Sequence, residues 1–266
     1  MKTLVQYISF GIALMALAGC GLMSSSPSSP ELTIKVHDAP REKMDVNLER
    51  ESSSLHNYMK AELALIDQDY ESAMEFLEES SRLSTQPEAK LHAKLANLYV
   101  REGKLEKALT EIQQALAINP EDSSSLFLYG GVLEGLDRQD ESIDVYKRLI
   151  TRDPDNFEAH VLLSSLYVKR REFDKSVKLL KAYSTAHPLD ALAPYYIGHV
   201  YELSDDLAKA EQYYLESFDK EPRDGQAIRS LFRLYFKAND VKKLQEFCTR
   251  VIVADPANVA ARRILS

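Results

Sequence analysis

The residues of this chain that could do chemistry are two cysteines, six histidines and a surplus of carboxylates, 41 Asp and Glu against 33 Lys and Arg. The histidines (His37, His56, His92, His160, His187 and His199) are scattered and lack metal-ligand spacing. Neither a Gly-rich phosphate loop nor a Gly-x-Ser-x-Gly nucleophile motif occurs. The carboxylates are spread along the chain, as on solvated helix faces. No catalytic set, metal site or cofactor is expected, and the chain reads as a non-enzyme. A net charge of −8 repels phosphate backbones, so nucleic acid is not an expected partner. Cys248 shares an apolar helical face with Leu244, Phe247 and Val251, which suits a small core residue better than a reactive thiol.

Cys20 stands in a different context. Lys2 precedes an apolar run from Leu4 to Ala18, interrupted by Gln6, Ser9 and Gly11. That run is short for a membrane span and suits the apolar core of a signal peptide. It ends in Leu17-Ala18-Gly19-Cys20, which resembles the lipobox of bacterial lipoproteins. The resemblance implies cleavage before Cys20, a lipid on its sulfur and an acyl group on its nitrogen. Several acyl chains anchor stably, since each buried CH₂ contributes about 0.8 kcal/mol. An ordinary signal peptide followed by an unrelated cysteine is the alternative. Residues 1–19 are thus expected to be a signal peptide. Residues 20–53 are expected to be a disordered tether, rich in Ser and Pro around Ser24–Pro30. Met44 to Glu51 alone carries a short helical pattern. As a flexible coil such a tether would span about 30 Å.

The elements beyond it announce themselves through prolines. Pro87, Pro120, Pro154, Pro188, Pro222 and Pro256 are separated by 33, 34, 34, 34 and 34 residues. Pairs of small residues recur twelve apart within the units: Ala61 and Ala73, Ala96 and Ala108, Gly130 and Ser142, Ser164 and Ser176, Gly198 and Ala210. Large apolar residues such as Tyr99, Leu133, Tyr167, Tyr201 and Tyr235 keep the same register. This pattern resembles the tetratricopeptide repeat. The resemblance implies an all-α, right-handed α-solenoid of about six helical hairpins over residues 54–256. Residues 257–266 would form a capping helix. The small residues would sit where the two helices of a hairpin cross, and each Pro would separate one unit from the next. In the last unit Phe232 and Leu244 are large where small residues are usual, so its helices are expected to splay.

In such a fold the first helices line a concave groove that holds protein or peptide partners. Positions on those helices left free by the core are Lys90, Lys94, Asn97, Arg101, Leu128, Tyr195, Tyr196, His199, Arg229, Arg233 and Lys237. They suggest a groove with basic ends and an apolar, aromatic centre, suited to a peptide with acidic flanks. The alternative is that these cations merely solvate a helix face. The family's carboxylate clamp is not matched. Asn97 has the right type, but Ala93, Leu128, Glu158 and Leu162 stand where its partners are needed. The expected function is a lipid-anchored, periplasm-facing scaffold in envelope assembly, serving pili, secretion, outer-membrane proteins or cell-wall enzymes. Gly21, rather than Asp, follows Cys20, which points to the outer membrane. The second reading is an accessory subunit of polysaccharide or glycoconjugate export. The oligomeric state is left open.

Overall fold

In the computed structural model, residues 41–86 and 88–266 are described, with side chains from residue 46. Cys20, the leader, His37, Pro87 and the tether up to residue 40 lie outside the described residues. Thirteen α-helices and no strands occur among the described residues. They form six hairpins and a final helix. The hairpins are α1 (Arg41–Ile66) with α2 (Tyr70–Leu83), α3 (Ala89–Arg101) with α4 (Leu105–Ile118), and α5 (Ser123–Gly135) with α6 (Gln139–Arg152). Then follow α7 (Phe157–Lys169) with α8 (Phe173–Ala186), α9 (Leu192–Leu203) with α10 (Leu207–Lys220), and α11 (Gly225–Ala238) with α12 (Val241–Ala254). The last helix is α13 (Val259–Leu265). This is the expected α-solenoid, in which each hairpin buries its apolar faces against its neighbours.

The crossing point of each hairpin sits on the small pair. Ala61, Ala73, Ala96, Ala108 and Ala210 are fully buried. The Ser142 hydroxyl donates to the Gly130 carbonyl at 2.9 Å, and the Ser164 and Ser176 hydroxyls lie 2.6 Å apart. A Cβ added to Gly130 would meet the Tyr146 ring at 2.6 Å. One added to Gly198 would meet the Tyr214 ring at 2.8 Å and the Ala210 carbonyl oxygen at 3.2 Å. The hairpins therefore close only because these positions carry almost nothing. In the last hairpin Phe232 and Leu244 are buried instead, and Phe232 packs edge-on to Phe247 at 5.5 Å. There α11 and α12 approach each other over less of their length than most of the preceding hairpins do. Cys248 is fully buried in this last cluster, and burial pushes its thiol pKa up.

The turns inside the hairpins share one geometry. Gln68, Gly103, Asp137, Arg171, Asp205 and Asn239 all have φ between 53° and 70°. The next residue's amide then donates to the carbonyl five residues back, as from Lys104 to Tyr99 at 2.8 Å and from Arg138 to Leu133 at 2.9 Å. That bond is the helix stop in which a left-handed residue follows the last turn. Between hairpins, Asp and Asn side chains cap the next helix: Asp122 accepts from the Ser125 amide at 2.8 Å and Asn156 from the Ala159 amide at 3.0 Å. Helices α4, α6, α8, α10 and α12 each end two residues before a Pro.

The first helix begins earlier than the sequence pattern suggests. Residues 41–53, read as tether, are helical, and α1 runs without a break for 26 residues. The reason is local and tertiary. Arg, Glu, Lys, Met and Leu dominate 41–51, all good helix formers, with no Pro or Gly among them. The serines that follow are part of the packing: Ser54 is buried, its hydroxyl donates to the Ser80 carbonyl, and the Ser80 hydroxyl donates to the Ser54 carbonyl, both at 2.9 Å. Glu51 also accepts from the Thr85 amide at 2.9 Å.

The two adjacent glycines of α5 should respond oppositely to a methyl group. Gly130→Ala should destabilise the chain by about 1–3 kcal/mol, because Tyr146 must move within a closed packing. Gly131→Ala, whose added Cβ has only the Tyr146 hydroxyl at 3.8 Å, should stabilise by about 0.5–1 kcal/mol through helix propensity. Urea unfolding followed by circular dichroism reads both; equal shifts in one direction would contradict the crossing-point account.

Candidate functional site

The face built by the first helices is crossed by ion pairs between successive repeats. Lys94 of α3 pairs with Glu62 of α1, Lys169 of α7 with Glu134 of α5, and Arg233 of α11 with Glu202 of α9. Each joins a cation to a carboxylate one repeat earlier. The Arg233 guanidinium forks onto both Glu202 oxygens, at 2.8 and 3.2 Å. Tyr214 donates to the same carboxylate at 2.7 Å. Burial pushes the Glu202 carboxyl up, but the hydrogen bonds from Tyr214 and Arg233 outweigh it and hold it below the usual carboxylate range. Glu62 is likewise held low, chiefly by the hydrogen bond from Lys94.

The sequence-selected residues separate into three groups on this face. Lys90, Lys94, Asn97 and Arg101 are brought together along one groove of about 550 Å³, whose walls also include Leu65, Tyr70, Ala93, Leu98, Asp122 and Ser124. Lys94 is half-buried beside Glu62, with its ammonium 5.6 Å from the Tyr58 ring centre. The Arg101 guanidinium lies over the Tyr70 ring, 3.7 Å from its centre. Lys90 and Arg101 have no carboxylate partner among the described residues, and Asn97 is exposed. This groove therefore offers two unpaired cations and a free amide above an apolar floor.

The second group is the aromatic centre, and it is largely structural. Tyr195 and Tyr196 are half-buried, set edge-on to each other at 5.3 Å. Tyr195 also leans on Tyr214 at 5.6 Å, and Tyr196 on Phe157 at 5.6 Å. Their rings thus join neighbouring helices more than they face solvent. His199 is half-buried, and its Nδ1 has no hydrogen-bond partner among the described residues. Leu128 is half-buried against the cluster of Leu95 and Leu133, and lies outside the groove lining. In the third group, on α11, Arg233 is committed to Glu202. Arg229 and Lys237 are exposed, without a carboxylate partner among the described residues.

Sequence reasoning missed Glu62 and Glu202, the carboxylates that neutralise two of the chosen cations. The signal existed: the paired residues lie 32, 35 and 31 positions apart, close to one repeat. It also missed Leu65 at the end of α1 and Tyr70 at the start of α2, which flank the first hairpin's turn and form the groove's apolar wall. No group of three or more His, Cys, Asp or Glu that could hold a metal ion is present among the described residues. Among those residues, no helix is long and apolar enough to cross a membrane.

A family model described as tetratricopeptide repeat matches residues 93–157 and 161–224. The solved structure of a tetratricopeptide repeat protein from Parabacteroides merdae superposes with a TM-score of 0.63 at 16% identity, covering 80% of this chain and 91% of that one. MamA protein gives 0.58 at 17% identity, over 64% of this chain and 93% of MamA. YrrB, described as a TPR protein with an unusual peptide-binding site, gives 0.56 at 19%, over 70% and 96%. At these identities the likeness speaks for the fold. Among curated proteins, the tetratricopeptide repeat-containing protein trd-1 of Caenorhabditis elegans is 29% identical over 118 residues, 43% of this chain. The BBSome complex member BBS4 of Bos taurus is 23% identical over 168 residues, 62% of this chain. The chain spans only 15% and 32% of the lengths of those two proteins. Together these matches support the tetratricopeptide repeat family and its solenoid, a fold built for protein–protein interaction.

The Glu202 cluster makes a pH prediction. Its folded pKa is depressed, so its contribution is present above the unfolded value, about 4.3, and is lost as pH falls through the folded one. Glu202→Gln should therefore lower stability at neutral pH and flatten the loss of stability between about pH 5 and pH 3. Thermal unfolding across that range checks it; an unchanged slope would mean the carboxylate titrates normally.

Proposed function

We propose that this chain is an envelope adaptor that binds an extended, acidic peptide segment of a partner protein along the first-helix groove, while Cys20 holds it at a bacterial membrane. The observation that carries the reading is the groove at the second repeat. Lys90 and Arg101 are unpaired within an otherwise acidic chain, and Asn97 supplies both a donor and an acceptor for a peptide backbone. Leu65, Ala93 and Leu98 give an apolar side chain of the peptide a place to rest. Cations set against a net charge of −8 select for negative partners and raise the encounter rate. The Leu17-Ala18-Gly19-Cys20 box supports lipid attachment, and Gly21 supports an outer-membrane destination facing the periplasm.

Two experiments test the two halves. Lys90→Glu with Arg101→Glu should weaken capture of acidic peptides on a synthetic array by about tenfold or more at low salt, with a smaller difference at high salt. Both residues are exposed, so the fold should stand. Equal capture by both chains at both salts would exclude this groove. Separately, Cys20→Ser should move the protein from the membrane to the soluble fraction of its host cell; retention in the membrane would refute anchoring through that cysteine.

A further inference from the structure

The two ends of the stack differ in charge, and both expose apolar side chains. At the amino-terminal end, α1 turns Leu48, Leu55, Met59, Leu63 and Ile66 to solvent, each between 59% and 75% exposed. Their spacing of seven, four, four and three residues places them on one stripe of the helix. At 1.5 Å per residue the stripe is about 27 Å long. A stripe of this size with nothing packed on it among the described residues is unusual for a surface, where apolar residues occur singly. Carboxylates border it: Glu49 and Asp67 on one flank, Glu51 on the other. Residues 46–83, which hold most of α1 and all of α2, carry nine carboxylates and three cations.

The opposite end has the complementary character. Helix α13 buries Ala261 against the last hairpin and turns Val259 outward, 76% exposed, with Arg262 and Arg263 exposed beside it. Val253, in the last turn of α12, is 79% exposed. Residues 225–265 carry eight cations and three carboxylates. Of those cations Arg233, Lys243 and Arg250 are held by carboxylates of the preceding repeat and Lys242 pairs with Glu246 along α12, which leaves Arg262 and Arg263 of α13 as the unpaired cations beside Val259.

We propose that the chain associates with copies of itself head to tail, the α1 stripe of one copy docking on the α12–α13 face of the next. Like ends repel: two α1 faces brought together would set acidic hairpin against acidic hairpin, and two α13 faces arginines against arginines. Unlike ends attract, and the apolar stripe supplies the burial that charge alone does not. Such a contact joins different surfaces of the two copies, so it propagates into a row of copies or closes as a ring.

Cysteine pairing in the full chain tests this directly. Met59→Cys and Val259→Cys are made in separate chains; both sites are exposed, and circular dichroism confirms that each variant keeps the wild-type helix content. Under mild oxidation, mixing the two should give a covalent dimer that neither variant gives alone above the level of the unsubstituted chain. The dimer should be lost when the Val259→Cys chain also carries Arg262→Glu and Arg263→Glu, and should return when the Met59→Cys partner carries Glu49→Arg and Glu51→Arg. A dimer of the Met59→Cys chain alone would overturn the proposal in favour of α1 pairing with α1. The absence of any product above background in the mixture, or a product that the charge reversal leaves unchanged, would overturn it as well.

Discussion

The solenoid depends on the close approach of two helices at one point in each hairpin. In the first five hairpins two residues twelve apart are small enough for the backbones to meet, and in the last, where Phe232 and Leu244 stand instead, the helices approach over less of their length. Where Gly130 and Gly198 sit, a ring from the second helix fills the space a Cβ would take. Where serines sit, hydroxyls meet each other or a carbonyl, so the polar group lies inside the crossing at no desolvation loss. The left-handed residue at each turn and the proline two residues past α4, α6, α8, α10 and α12 then fix where the chain reverses. Since each hairpin leaves an apolar face open, neighbours must stack, and the first helices come to lie side by side.

That side-by-side arrangement makes the first-helix face a place where charges from successive repeats meet. The ion pairs across it are exposed or half-exposed, and each contributes at most about 1 kcal/mol. Their larger effect is on which cations of the face stay free. By consuming Lys94, Lys169 and Arg233 they leave the unpaired cations concentrated at Lys90 and Arg101, and at Arg229 and Lys237. The same bookkeeping leaves the first hairpin acidic and the last one basic, a polarity along the stack that no single repeat displays.

Most of the fold was legible in the sequence because a 34-residue period is a covalent fact that packing repeats faithfully. The six hairpins, the crossing residues, the buried Cys248 and the final helix all followed from it. The start of α1 was not legible. Ser52 and Ser53 read as tether, whereas α1 runs through them, and Ser54 beside them is paired with Ser80 of α2, a contact between residues 26 apart. The turns were half legible, since only Gly103 and Asn239 advertise a left-handed conformation; Gln68, Asp137, Arg171 and Asp205 adopt it because the repeat imposes it. The candidate site was legible as a set of positions but not as a surface. Side-chain type placed the basic residues on the right helix face, but whether a cation is free depends on a carboxylate one repeat away, and whether a tyrosine is open depends on the rings behind it.

The central claim is that partners are held by the first helices, at the second-repeat groove, and not by the second helices outside it. Site-specific photo-crosslinking in the native host separates these directly, with a photoreactive residue placed at Asn97 on α3 or at Thr110 on α4. Both positions are exposed and belong to one hairpin. The account predicts a discrete partner trapped from Asn97 and not from Thr110. The same partner trapped equally from both positions, or from Thr110 alone, would contradict it.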